Sequence, residues 1–244
     1  MNSPVLGVIG TGMVGAGAAR RAADAGLDVV LSNSRGPHTL TGLVAALGGR
    51  ARAATPAETA QAADVVLVAV PLSAHEQLPR AELAGKTVID PTNYVPAMWR
   101  SSSLDSDELT SSELVQRHLA ESRVVKALHN IGPRQLLDLH RPAGAADRTA
   151  LPVHADDPDA RAAVAALFDV LGFDTVDLGP LCGSWRSEPN TPLYAFPYVG
   201  EPPAGLSVPD LVAWVQAAPG VPVPAARVTE LAAAAVRGPA GFQF

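Results

Sequence analysis

Val8–Ile9–Gly10–Thr11–Gly12–Met13–Val14–Gly15 ends a short apolar run and opens a stretch of small residues. Its reading decides the fold. The run Val5–Ile9 carries no charge, which is the pattern of a strand buried on both faces. Gly10 permits a tight turn after it. Gly12 has no side chain, so a pyrophosphate can approach the backbone there. Gly15 lets the following helix pack close to the strand. The N-terminal N–H groups of that helix, Thr11, Met13 and Val14 around them, and its positive dipole end suit an anion. Such a glycine spacing alone is weak. Here it follows a strand, opens a helix over 13–25 that closes near Gly26, and precedes a second strand over 29–31, which is the context the motif requires. A glycine-rich turn that binds nothing is the alternative.

Working outward, strands and helices alternate. Helices are predicted over 39–47, stopped by Gly48 and Gly49, and over 57–63. Strand 65–70 follows, ended by Pro71, then a helical stretch over 76–83 and the strand Thr87–Asp90, ended by Pro91. Ser111 or Ser112 is expected to cap a helix over 111–119, before a strand over 124–128. Later, 151–154 and 173–178 read as strands flanking the helix Pro158–Leu171, which Asp157 caps and Pro158 opens. Beyond Gly179 the prolines Pro189, Pro192, Pro197, Pro202 and Pro203 crowd together, and helices are expected over Val208–Ala217 and 225–236. The fold class is α/β: an N-terminal Rossmann doubly wound parallel sheet, starting at residue 3 or 4, with a small mainly helical C-terminal domain. The expected division is a dinucleotide-binding domain over 1–150, then late sheet elements and a small substrate or dimerisation region over 151–244.

Composition bounds the partners. With 48% apolar and 5% aromatic residues, the core is built from Ala, Val and Leu. A net charge of −6 with no basic stripe argues against nucleic acid. The single cysteine, Cys182, excludes an internal disulfide and a multi-cysteine metal site; it reads as a small apolar filler. His75, His118, His140 and His154 lack ligand spacing, so no metal is expected. No stretch suits a membrane helix, and the first apolar run is too short for a signal peptide, so a cytoplasmic protein is expected.

The second strand names the nucleotide. An NAD site usually places Asp or Glu at its end, to accept from the ribose hydroxyls. Here that end reads Leu31–Ser32–Asn33–Ser34–Arg35, with no carboxylate. Ser34 can donate to a 2'-phosphate and Arg35 can pair with it. Ser32 and Asn33 either contribute or hold the turn. Thr39, opening the next helix, can reach the same phosphate, while His38 reads as a surface residue. NADP(H) is therefore the expected cofactor; a solvated loop with an incidental arginine is the alternative.

Ligands bind beyond the carboxyl ends of parallel strands. Three ends supply candidates: Leu72 to pack on ribose or nicotinamide, Asn93 to hydrogen-bond ribose or carboxamide, and His129 to contact a second substrate as donor or acid. Asp90 reads as a loop anchor, and a structural histidine bonded to backbone is the alternative for His129. Ser184–Trp185–Arg186, near Glu188, either lines the second pocket or ties the C-terminal segment to the sheet.

Residues 8–15, 32–37, 90–94, 124–129 and 179–186 together resemble the coenzyme F420-dependent NADP oxidoreductase family. The resemblance runs to about Tyr194. It implies a Rossmann domain, a small C-terminal domain that helps make a homodimer, and hydride exchange between the nicotinamide C4 of NADP(H) and the deazaflavin C5 of coenzyme F420. It places the phosphate turn on Thr11, Gly12, Met13 and Val14 and the 2'-phosphate contacts on Ser34 and Arg35. A basic residue of the family pattern falls on Thr39, which carries no charge. Rim contacts fall on Leu72, Asn93 and Pro133, the last where nicotinamide and deazaflavin meet. The segment after Tyr194 and the loop 98–110 depart from the pattern. The other functions open to the same residues are an NADPH-dependent reductase of another flavin, a quinone or a small carbonyl compound, and a non-enzymatic NADP-sensing protein.

Overall fold

A computed structural model describes residues 4–242. Residue 3, one of the two expected starts, lies outside them; the first strand begins at Val5. In chain order the elements are β1 (Val5–Ile9), α1 (Met13–Asp24), β2 (Asp28–Ser32), α2 (Thr41–Leu47), β3 (Ala51–Ala53), α3 (Pro56–Ala62), β4 (Val65–Val68), α4 (Arg80–Leu83), β5 (Thr87–Asp90), α5 (Ser102–Asp105), α6 (Ser111–His118), β6 (Arg123–Lys126), α7 (Pro133–Asp138), β7 (Ala150–Ala155), α8 (Pro158–Leu171), β8 (Asp174–Asp177), α9 (Val208–Ala217) and α10 (Ala225–Ala233).

One eight-stranded sheet runs β3-β2-β1-β4-β5-β6-β7-β8. It is parallel from β3 to β6; β7 then pairs antiparallel with β6, and β8 parallel with β7. The order reverses between β1 and β4, so a crevice opens beyond their carboxyl ends, where α/β sheets bind ligands. The fold is the α/β Rossmann type expected, with α9 and α10 forming a smaller, mostly helical C-terminal region. The core lies on both faces of the sheet. One layer gathers Val8, Ala18, Leu31, Val125, Leu136, Val164 and Phe168; the other gathers Ile9, Val66, Val88, Leu104, Val115 and Leu119.

Local chemistry explains most boundaries. Thr55 and Glu58 form a reciprocal capping box on α3. Asp157 accepts from the Ala160 N–H at 2.7 Å to cap α8. Several boundaries differ from the sequence expectation. The cap of α6 is Thr110, in a box with Glu113, because Ser111 and Ser112 turn their hydroxyls inward to buried charges. The stretch 76–83 is split into a 3-10 turn over Leu72–Gln77 and α4, since Pro79 lacks the N–H that would continue a helix. Edge strand β3 has only three residues and no apolar run of its own; its place follows from pairing with β2. Helices α5 and α7 are too short to show a period in sequence.

Candidate functional site

The glycine turn sits at the switch point. Gly10 has φ +98°, and a Cβ there would lie 2.3 Å from the Ala69 carbonyl oxygen just past the end of β4. A Cβ on Gly15 would come within 2.0 Å of the Gly10 oxygen. Gly10 and Gly15 are therefore fixed by the fold itself. Gly12 is different: its backbone, φ −70° and ψ −167°, suits any residue, and a Cβ would meet nothing within 4 Å. Nothing in the fold requires glycine there. The N-terminus of α1 has no side-chain cap and no acidic residue in its first turn, so its N–H groups face outward beside the open Gly12. Met13 is exposed; Thr11 and Val14 are half-buried. This cradle fits a pyrophosphate.

At the end of β2, Ser32 is buried and its hydroxyl donates to the Val8 carbonyl at 3.4 Å. The Asn33 side chain holds the turn: its Oδ1 accepts from the Arg35 N–H at 3.0 Å, and its Nδ2 donates to Thr39 Oγ1 at 2.9 Å. Thr39 Oγ1 in turn donates to the Gly36 carbonyl at 2.8 Å. Ser32, Asn33 and Thr39 are thus engaged in shaping the loop, while Ser34 and Arg35 stand exposed on its outer side.

Along the rim, Leu72 is buried in the core beneath the cleft, and its carbonyl contacts His75 Nδ1 at 2.9 Å. Pro133 opens α7 and packs on α1, where a Cβ on Gly17 would lie 3.2 Å from the Pro133 Cβ. Asn93 Nδ2 donates to the His129 carbonyl at 2.8 Å and approaches Tyr194 Oη at 3.4 Å. Asn93 Oδ1 is buried and has no hydrogen-bond partner among the described residues. It is the acceptor a carboxamide N–H would need.

The His129 ring turns inward. Leu128, at φ +60°, lies just past the end of β6 and redirects the chain. His129 Nε2 lies 2.8 Å from Ser187 Oγ, and His154 Nε2 lies 3.1 Å from the same oxygen. Ser187 donates its proton to the Ser184 carbonyl at 3.1 Å, so both imidazoles act as Nε2–H donors to it. Neither Nδ1 has a hydrogen-bond partner among the described residues, and protonating either would bury an unpaired N–H. Burial, then the Lys126 charge, hold His129 well below the ordinary imidazole range and lower His154 to about 4. A ring kept neutral in the fold but free to protonate when unfolded adds stability above pH ~6.5, lost as pH falls. For His154 the loss accumulates down to about pH 4 and reaches roughly 3 kcal/mol. Urea midpoints of wild type should fall over that window, more steeply than those of His154→Gln. Parallel pH profiles would contradict this account.

Beside these rings lies a buried charge cluster that the sequence did not reveal as a unit. Lys126, wholly buried in β6, donates to Ser111 Oγ at 2.7 Å and to the Thr92 carbonyl. Glu188 lies 3.4 Å from its ammonium and Asp90 3.9 Å. Asp90 also accepts from Ser112 Oγ and from the Thr92 N–H at 2.9 Å. Glu188 accepts from Ser111 at 2.7 Å and Ser184 at 3.0 Å. The cluster clamps the rim loop after β5, the start of α6 and the 3-10 turn over Leu181–Ser187 to the end of β6.

Trp185 serves as an anchor: Arg186 stacks 4.2 Å from its ring and Arg237 lies 5.8 Å away. Arg237 pairs with Asp107 at 3.5 Å, bringing the loop 98–110 and the tail 237–242 together. Asn190 Nδ2 donates to the Gly241 carbonyl, and the Phe242 N–H to that of Tyr94 at 3.1 Å. Cys182 is exposed and so is not the filler expected, because the 3-10 turn points it outward. His75 and His118 do meet, at 5.9 Å between ring centres. No cluster of three or more metal-ligating side chains occurs among the described residues, nor any helix long and apolar enough to cross a membrane.

The family model described as NADP oxidoreductase, coenzyme F420-dependent, matches residues 5–94. A search of curated proteins found no match. Among solved structures, a hypothetical protein of Sinorhizobium meliloti is 29% identical, with a TM-score of 0.68 over 80% of this chain and 94% of its own. A protein of Arthrobacter sp. FB24, provisionally assigned as an F420-dependent NADP-reductase, is 27% identical, with a TM-score of 0.62 over 75% and 87%. The reductive aminase of Aspergillus terreus, in complex with NADPH, is 18% identical, with a TM-score of 0.53 over 75% and 57%; that likeness shows the fold alone.

Proposed function

We propose that this chain, whose residues 5–94 match the family model described as NADP oxidoreductase, coenzyme F420-dependent, is an NADP(H)-dependent oxidoreductase that passes hydride between NADP(H) and coenzyme F420. The observation that carries the nucleotide half is Gly12, a glycine the fold leaves open beside uncapped N–H groups. Thr11, Gly12, Met13 and Val14 line the pyrophosphate site in this reading, with Gly10 and Gly15 shaping it. Ser34 and Arg35 take the 2'-phosphate, and Ser32, Asn33 and Thr39 hold their loop in place. Leu72, Asn93 and Pro133 border the nicotinamide, with the unpaired Asn93 Oδ1 facing its carboxamide. His129 acts through position: its carbonyl holds Asn93 and its ring braces the turn. Bound there, the nicotinamide would supply hydride chemistry at its C4 toward the deazaflavin C5, with the proton that completes reduction drawn from solvent. The protein's part is to align the two rings and exclude water. Support for coenzyme F420 comes from the family and from the Arthrobacter relative. A homodimer formed through the C-terminal helices belongs to the same reading.

The test is loss of the oxidised deazaflavin's visible absorbance on adding NADPH and protein; no loss with folded protein would sink the F420 assignment. Arg35→Glu should weaken NADPH binding about 10- to 100-fold, since a charge-assisted hydrogen bond contributes about 1.5–3 kcal/mol, and leave NADH binding nearly unchanged. Equal losses for both nucleotides in calorimetry would remove Arg35 from the 2'-phosphate site.

A further inference from the structure

Tyr194 stands at the same rim with no role yet given. The segment that carries it lies across the carboxyl ends of β5 and β6. The Ala195 N–H donates to the Asn130 carbonyl at 3.2 Å, and Asn130 Nδ2 donates to the Leu193 carbonyl at 3.2 Å. Tyr194 Oη reaches Asn93 Nδ2 at 3.4 Å, the amide whose other atom, Oδ1, is buried and unpaired. An amide N–H can only donate, so the phenol oxygen accepts there and its own O–H is left to donate elsewhere. Among the described residues that hydroxyl has no acceptor.

Two features hold the ring in this pose. Phe242 meets it edge-on, at 5.3 Å between ring centres and 80° between planes. The backbone behind it is strained: Ala195 sits at φ +56° and ψ −61°, closed by a Phe196 N–H to Tyr194 carbonyl bond of 2.7 Å. That is a three-residue γ-turn of the rare, costly sense, in a residue that is not glycine. Strain of this kind persists where surrounding structure fixes it, and it gathers at functional sites. Burial, then the Glu188 charge, push the phenol far above its ordinary range, so it stays protonated and acts as a donor.

We propose that Tyr194 Oη donates a hydrogen bond to a carbonyl oxygen of the hydride acceptor, one conjugated with the carbon that receives the hydride. This rests on the oxidoreductase reading above and adds its acceptor class: a compound with a conjugated carbonyl, which includes the deazaflavin ring. As hydride and its electron pair arrive at carbon, the electron pair displaced from the conjugated bond moves toward that oxygen. A preset donor there is worth more in the transition state than in the ground state. The solvent proton then completes the reduced product, and the tyrosine keeps its own.

The experiment compares wild type with Tyr194→Phe. NADPH binding is measured by nicotinamide fluorescence, coenzyme F420 binding to the NADP+-loaded protein by deazaflavin fluorescence, and hydride transfer with F420 and with a panel of conjugated carbonyl compounds. The variant should bind NADPH within about twofold of wild type, bind F420 more weakly, and lose about 10- to 100-fold in kcat, the scale of one removed oxyanion donor at its lower end. With 4-deuterated NADPH its isotope effect should rise, as chemistry becomes slower. Unchanged kcat and F420 affinity would overturn the proposal. So would a wild type that loads NADPH yet neither binds F420 nor reduces any carbonyl of the panel. Failure of wild type to bind NADPH would instead overturn the nucleotide reading.

Discussion

Lys126→Ala is expected to destabilise the protein by about 3–5 kcal/mol, the cost of removing one partner from a buried ion cluster. The residue is wholly enclosed, and its ammonium faces two carboxylates, Asp90 and Glu188, that are themselves almost without solvent. Removing the cation leaves both acids buried with only hydroxyl and amide donors. Lys126→Met, which keeps most of the volume, should lose nearly as much, because the cost lies in charge and not in packing. The discriminating variant is the triple change Lys126→Met, Asp90→Asn, Glu188→Gln. Fully neutral clusters avoid the desolvation cost of isolated charge, so it should regain much of the stability that Lys126→Met loses. Urea unfolding of the four proteins tests this. A loss below about 1 kcal/mol in Lys126→Ala would mean that water or a rearranged side chain takes up the charge.

That cluster also marks where sequence reading stopped. The glycine turn, the apolar strands and the absent carboxylate after β2 were legible because each depends on neighbours within about thirty residues. Lys126, inside Val124–Val125–Lys126–Ala127–Leu128, carries no such local sign of its role. Which partners it takes was not visible. Asp90 comes from another strand, Ser111 from the start of α6, and Glu188 from a 3-10 turn after the sheet is complete. Their meeting depends on β7 pairing antiparallel with β6, which sets His154 opposite Lys126. The His129 ring orientation follows from Leu128 at φ +60°, a conformation that leucine does not advertise. Tyr194 went unmarked for the same reason. Its turn is built on an alanine, where a glycine would have signalled it.

The glycines of the first turn separate fold from function by a direct contrast. Gly12→Ala should cost no more than about 1 kcal/mol of stability, the preference of the α1 N-cap for glycine over alanine, since alanine suits φ −70° and its Cβ meets only open space. The same change should weaken NADPH binding about tenfold or more, or at least 1.4 kcal/mol, because the added methyl occupies the approach of the pyrophosphate. Gly10→Ala should do the reverse in kind. The left-handed backbone costs about 1–3 kcal/mol for any side chain, and overlap with the Ala69 carbonyl adds about 1–3 kcal/mol more. Its loss should show in thermal unfolding without any nucleotide present. Gly15→Ala, blocked by the Gly10 oxygen at 2.0 Å, should behave like Gly10→Ala. Calorimetric binding alongside unfolding of the three variants decides the matter. If Gly12→Ala binds NADPH as wild type does, the cradle is only a turn. If it alone loses binding while keeping its stability, then the one glycine the fold does not need is the one the ligand does.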